Sequence, residues 1–142
     1  MKALKTLACV LALGTVAIAV PASAADLQSI IAGYSANADP AAGKALFNTD
    51  FTGRQGPKGK AETAKCQACH DGNPTRSGQT RTGKTIGPMA VSAGYRDPDT
   101  GLPRYVDDRK REKWFMRNCT GVLGRECTNQ EKADFLAYMA SQ

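Results

Sequence analysis

The chain has 142 residues, with 19 Lys and Arg, 13 Asp and Glu and one histidine, for a formal charge of +6. The length suits a single small domain, and one histidine rules out any site that needs two imidazoles. The charge excess is too modest to choose a partner: Lys2 and Lys5 fall in a removable leader, whose loss takes +6 to +4, and no nucleic-acid partner is expected.

The leader has three parts. Lys2 and Lys5 are a basic n-region, Leu7 to Val20 is apolar, and Ala22-Ser23-Ala24 is a small-residue cleavage site. Cys9 lies in the apolar run with Thr6 three residues before it, which argues against a lipid anchor. The run is short for a membrane span and ends at a cleavage signal. The expectation is a periplasmic protein without a membrane anchor: residues 1–24 a cleaved signal peptide, residues 25–142 one domain.

The mature chain opens with Asp26 as an N-cap, then Leu27, Ile30, Ile31 and Tyr34 at helical spacing. Asp39-Pro40 starts a second helix with proline at its first position and Leu46 and Phe47 as apolar residues. The segment Thr49 to Lys60, rich in Gly, Thr, Pro and charge, reads as loop, and Ala61 to His70 as a short helix.

Within that helix stands Cys66-Gln67-Ala68-Cys69-His70. Two thiols three positions apart can each form a thioether to a haem vinyl group, and the following imidazole can reach the iron. The competing readings are a structural zinc half-site, which needs more ligands at metal spacing, and a redox dithiol, which needs a βαβ context. Neither is visible, so the expected cofactor is one covalent haem c, with His70 on the proximal side of the iron. Arg54, Lys58, Lys60, Lys65, Arg76, Arg81 and Lys84 bracket the motif with few acids. They form either a basic rim that steers an acidic redox partner or an ordinary solvated face.

Asp71 to Gly87, full of Gly, Thr, Asn and Pro, reads as an irregular wrap over the haem edge, and Asp97-Pro98-Asp99-Thr100-Gly101 as an exposed turn. Regular structure resumes near Asp107 or Asp108 and runs through Trp114 and Phe115 toward Asn118. With Cys9 in the leader and two cysteines on haem, Cys119 and Cys127 remain. In an oxidising periplasm they are most simply a disulfide, with two free buried thiols as the alternative. Thr128 to Glu131 is a capping box, and Phe135, Leu136, Tyr138 and Met139 give the last helix its apolar face. No stretch alternates long enough to promise a sheet. The fold class expected is all-α, with several short helices and long loops wrapped round one haem.

Gly43 and Phe47 before the motif, the aromatic-bearing C-terminal helix, and Gly87-Pro88 resemble class I cytochromes c. The resemblance implies helices packed at a crossing that Gly43 permits, and a Pro88 carbonyl that accepts the Nδ1 proton of His70 and orients it. For the other side of the iron, methionine is the default in electron carriers: Met116 is the serious candidate, Met89 follows Pro88 too closely, and Met139 reads as core.

Two longer runs are more specific: Lys113-Trp114-Phe115-Met116-Arg117-Asn118-Cys119 through Cys127 and Glu131-Lys132-Ala133-Asp134, and Arg76-Ser77-Gly78-Gln79-Thr80-Arg81-Thr82-Gly83-Lys84. They resemble the sphaeroides haem protein family, oxygen-binding cytochromes c whose distal ligand is an asparagine just before a disulfide cysteine. The likeness covers nearly the whole mature chain except an insertion around Arg96 to Tyr105. A related cytochrome, c double-prime, has histidine at the asparagine position, where this chain has Asn118. The resemblance implies Asn118 as a distal ligand released on reduction, binding of O₂, NO or CO, and a c-type electron donor, a dihaem cytochrome among the candidates. Read without it, Asn118 is a helix terminator. With no distal histidine, peroxidase or NO-consuming turnover is expected only as a side activity.

Overall fold

The computed structural model describes residues 22–55, 61–80 and 82–142; the expected signal peptide, residues 1–24, lies outside them up to residue 21. In chain order come α1 (Ala22–Tyr34), α2 (Pro40–Asn48), β1 (Phe51–Gln55), β2 (Ala61–Ala64), α3 (Gln67–His70), β3 (Gly78–Gln79), β4 (Thr85–Ile86), a 3₁₀ turn (Val91–Ala93), α4 (Asp108–Leu123) and α5 (Asn129–Ser141). The fold is helical, as expected, and all of its long elements are helices.

α5 is the spine, with α1 and α2 packed on it. The α2 contact depends on Gly43: a Cβ there would stand 2.0 Å from the Asp134 carbonyl oxygen and 2.9 Å from the Tyr138 Cβ. Without that Cβ the helices close up, Phe47 is fully buried, and its ring centre lies 5.8 Å from that of Tyr138. The crossing that glycine was expected to permit is present. Asp39 caps α2 through the Ala41 N–H, and its own N–H donates to Asp134 Oδ1 at 2.7 Å, joining cap and spine. Leu27 and Ile31 bury α1 beside them.

α4 packs on the spine through aromatic rings, Trp114 lying 5.3 Å and Phe115 6.1 Å from Phe135, centre to centre. Arg111, buried in α4, donates from Nε to Tyr34 Oη and from Nη1 to the Tyr105 carbonyl at 2.6 Å, joining α4 to α1. The capping box expected at Thr128 and Glu131 opens α5.

Several boundaries differ from expectation. Thr49 to Lys60 is not all loop: β1 pairs antiparallel with β2, with an irregularity between Phe51 and Arg54, and of Ala61 to His70, expected as one helix, only Gln67–His70 is helical. Strands of four and five residues are too short to leave an alternating signal. Within the wrap, β3 and β4 form a second small ladder. In the full chain α1 begins at Ala22, so Asp26 lies inside it and does not cap it.

α4 also outruns its expected end. It continues through Asn118 and the Cys119 turn to Leu123 and stops at Gly124, whose φ of 73° suits glycine. The terminator reading of Asn118 is therefore replaced by a mid-helix position. The turn at Asp97–Gly101 is present: Arg96 and Pro103 form a bridge across it, and the Asp97 carboxylate accepts from the Asp99 and Thr100 N–H groups.

Candidate haem site

Cys66 caps α3 in helical conformation (φ −62°, ψ −37°), so Cys66, Cys69 and His70 stand at i, i+3 and i+4 of one turn and share a face. Asp71 ends the turn in the left-handed region, its N–H donating to the Gln67 carbonyl at 2.9 Å, and Gln67 donates to the Asn48 side chain at the end of α2. Cys66 and Cys69 are both unpaired thiols. Burial pushes the Cys66 thiol up to about 11, so it is protonated at neutral pH. Burial, then the Arg104 charge, holds His70 down at about 4, which keeps the imidazole neutral, the form that binds a metal.

Facing Cys66 is an apolar cleft. α4 contributes Trp114, Phe115, Asn118, Cys119, Val122 and Leu123, and the rest of the lining is Leu46, Phe51, Cys66, Cys127 and Phe135. The α4 residues recur at three- and four-residue intervals, one stripe of a helix. Asn118 is the one polar side chain in that stripe. Its Nδ2 donates to the Trp114 carbonyl at 2.8 Å, one turn back, and no hydrogen bond among the described residues reaches its Oδ1. Val122 and Leu123 complete the α4 side of the cleft. Cys119 and Cys127 are joined as a disulfide with Cα atoms 5.5 Å apart, tying the end of α4 to the start of α5.

The structure thus brings Cys66 and Asn118 to one cleft. Cys69 and His70 follow in α3, but neither they nor Pro88 line it. The expected bond from His70 Nδ1 to the Pro88 carbonyl is not made: Nδ1 is buried and has no partner among the described residues. The chain after Pro88 is held elsewhere, since the N–H groups of Met89 and Ala90 both donate to the Pro74 carbonyl at 2.8 Å. Of the methionines, Met139 and Met89 are core residues, while Met116 is 58% exposed. Two residues from Asn118, it points about 200° away round the helix. Of the basic rim, Lys65 pairs with Asp50 at 3.3 Å, and Arg76 and Lys84 are exposed. The Arg54 side chain and residues Lys58, Lys60 and Arg81 lie outside the described set.

Sequence reasoning missed the backing of α3. A Cβ on Gly78 would stand 1.8 Å from the Cys69 carbonyl oxygen and 3.1 Å from the His70 Cα, so β3 lies directly against the cysteine–histidine turn. Only a glycine in an otherwise unremarkable strand marks it.

Residues 34–139 match the family model described as Domain of unknown function (DUF1924). The chain is 47% identical over 131 residues to the cytochrome c-type protein SHP of Cereibacter sphaeroides, covering 88% of this chain and 92% of that one. The solved structure of oxidized SHP, described as an oxygen binding cytochrome c, superposes with a TM-score of 0.66 at 44% identity, over 82% of this chain and 96% of the other. The solution structure of cytochrome c'' from Methylophilus methylotrophus, presented as insight into haem-ligand detachment, gives 0.61 at 31% identity, over 83% and 94%.

The chain belongs to the SHP family of c-type cytochromes. Its cofactor, like that of its family, is haem c with its iron. The residues present fit that group. Two thiols and a neutral imidazole share a helical turn, the imidazole has a buried nitrogen without a partner, and an apolar cleft adjoins them. As an SHP-family fold the domain places its aromatic stripe, with one amide in it, in the same cleft as the first cysteine.

Proposed function

We propose that this SHP-family chain is a periplasmic monohaem cytochrome that passes single electrons and takes up small gases at an iron whose distal ligand, Asn118, lets go on reduction. The observation that carries the reading is the lone amide in the apolar stripe of α4, its nitrogen committed to Trp114 and its oxygen uncommitted, on the same cleft as Cys66. Cys66 and Cys69 form the thioethers, and His70 is the permanent iron ligand. Pro88 keeps its place as the expected support of His70 only if its carbonyl turns to Nδ1 in the loaded protein.

Haem supplies a one-electron couple and, with a coordination position open, affinity for O₂, NO and CO. Asn118 decides when that position is open. An amide oxygen is a hard, weak donor, adequate for ferric iron and poor for softer ferrous iron. Val122 and Leu123, beside Asn118 in the cleft wall, limit the entry of water. Two properties of the relatives, oxygen binding in SHP and haem-ligand detachment in cytochrome c'', support the same pair here. Residues 1–24 are the export signal, and no helix among the described residues is long and apolar enough to cross a membrane. The electron donor is another c-type cytochrome, a dihaem protein among the candidates. Peroxidase or NO-consuming turnover stays a side activity, because the one histidine serves the proximal side.

Optical and resonance Raman spectra of the reduced protein test this. Five-coordinate high-spin iron that takes up CO is expected; a six-coordinate low-spin ferrous spectrum that refuses CO sinks the reading. Met116, exposed on the outside of α4, gives the ordinary His/Met carrier no structural support.

A further inference from the structure

The segment 96–105 carries, in Arg104, a side chain set beside the backing of the haem motif. That backing can be followed residue by residue. Gly78 lies against the Cys69 carbonyl and pairs with Ile86 across the β3–β4 ladder. Gly87 comes next, and a Cβ there would stand 2.1 Å from the Tyr95 ring. The Arg104 guanidinium lies 4.3 Å from the centre of that ring, and its Nη2 donates to the Gly87 carbonyl at 3.1 Å. Tyr95 and Arg104 are joined by a backbone hydrogen bond of 3.3 Å. The hairpin that carries them is fastened to α4 by Lys110, 2.5 Å from Asp97 and 2.9 Å from Asp99.

The acids of the hairpin are thus occupied by Lys110, and no carboxylate pairs with Arg104 among the described residues. Its Nε is buried and donates to nothing there. A half-buried cation with no protein carboxylate beside it is less screened than a surface arginine, so its field reaches further.

We infer that Arg104 is a positioning residue of the proximal side, clamping the Gly87–Pro88 backbone beside the β3–β4 ladder that backs α3 and holding there a positive charge, paired with no protein carboxylate, that favours ferrous over ferric iron. The inference rests on His70 as the iron ligand. A positive charge near the iron opposes the gain of positive charge on oxidation. It also opposes imidazolate character in His70.

The test compares holoproteins carrying Arg104→Gln, Arg104→Lys and, as a control, the exposed Arg109→Gln. In Arg104→Gln the midpoint potential should fall, with the reduced-to-oxidised ratio at a fixed ambient potential dropping roughly threefold or more, the scale of one poorly screened charge. The iron–histidine stretching band of the ferrous protein should move up in frequency. Arg104→Lys should stay near wild type, and Arg109→Gln should shift the potential less than Arg104→Gln. Unchanged potential and band in Arg104→Gln overturn the inference, as does an equal shift in Arg109→Gln. If Arg104→Gln does not accumulate with haem, Tyr95→Leu makes the same test by releasing the guanidinium toward solvent, and an unchanged potential there is equally fatal. Absence of the band in wild type counts against the five-coordinate reduced state of the proposed function, while the potentials still decide the role of Arg104.

Discussion

The two ends of the Asn118 amide have separate tasks, and substitution separates them. Asn118→Ala removes the proposed ligand atom and the bond to Trp114 together. Asn118→His replaces a weak oxygen donor with a stronger-field nitrogen. Ferric electron paramagnetic resonance should therefore give a low-spin, bis-histidine signal for Asn118→His that neither wild type nor Asn118→Ala shows; identical spectra from all three would place position 118 off the iron. Gly78→Ala tests the opposite support. A methyl group 1.8 Å from a backbone oxygen cannot be absorbed by a rotamer change, so the Cys66–His70 turn must shift. The fraction of chains carrying covalent haem, read by pyridine haemochrome assay, should fall; full attachment would show that β3 yields more readily than α3.

At the level of elements, the crossing of α2 on α5 is the most sensitive contact. Gly43→Ala drives a Cβ into the Asp134 carbonyl and should cost about 1–3 kcal/mol, measured by urea unfolding of the holoprotein. The start of α5 is sensitive to acid. Arg125, first among its partners, and the Thr128 N–H hold the Glu131 carboxyl down at about 2, against 4.5 for the free group. A depressed folded value means that this stabilisation is complete above about pH 4.5 and is lost as pH falls toward 2. Arg125→Ala should raise the acid-unfolding midpoint, and no change would show that the pair is inert. These helices were legible in the sequence because their caps are local: Asp39 with Pro40, and Thr128 with Glu131, sit within a few residues of the ends they set. The end of α4 was not, because Asn118 and Gly121 both look like terminators while Gly124, the actual one, follows them. The strands escaped notice because β1 and β2 exist through each other and are too short to carry a periodic pattern.

Across the whole molecule, the haem motif was readable because five consecutive residues carry it. The apolar cleft was not, since its members come from α2, β1, the start of α3, α4 and α5 and meet only after folding. Asn118 was reached through family resemblance; in the sequence alone nothing tells a lone polar residue of an apolar stripe from a helix end. Gly78 and Arg104 act on the motif from 9 and 35 positions away, counted from Cys69, and such contacts leave no local trace. The Cys119–Cys127 bridge gathers two of these elements, and replacing both cysteines with alanine should lower stability by roughly 2.5 kcal/mol in guanidinium titration. The mid-helix position of Asn118 also has a kinetic consequence. A ligand carried on a loop leaves with its backbone, on the slow timescale of segment motion, whereas a side chain inside an intact helix leaves by a change of rotamer that does not wait for the segment. After photochemical reduction of ferric protein in CO-saturated buffer, recombination should therefore begin without a lag and scale with CO concentration. A delay independent of CO would mean that α4 must open before the gas can enter.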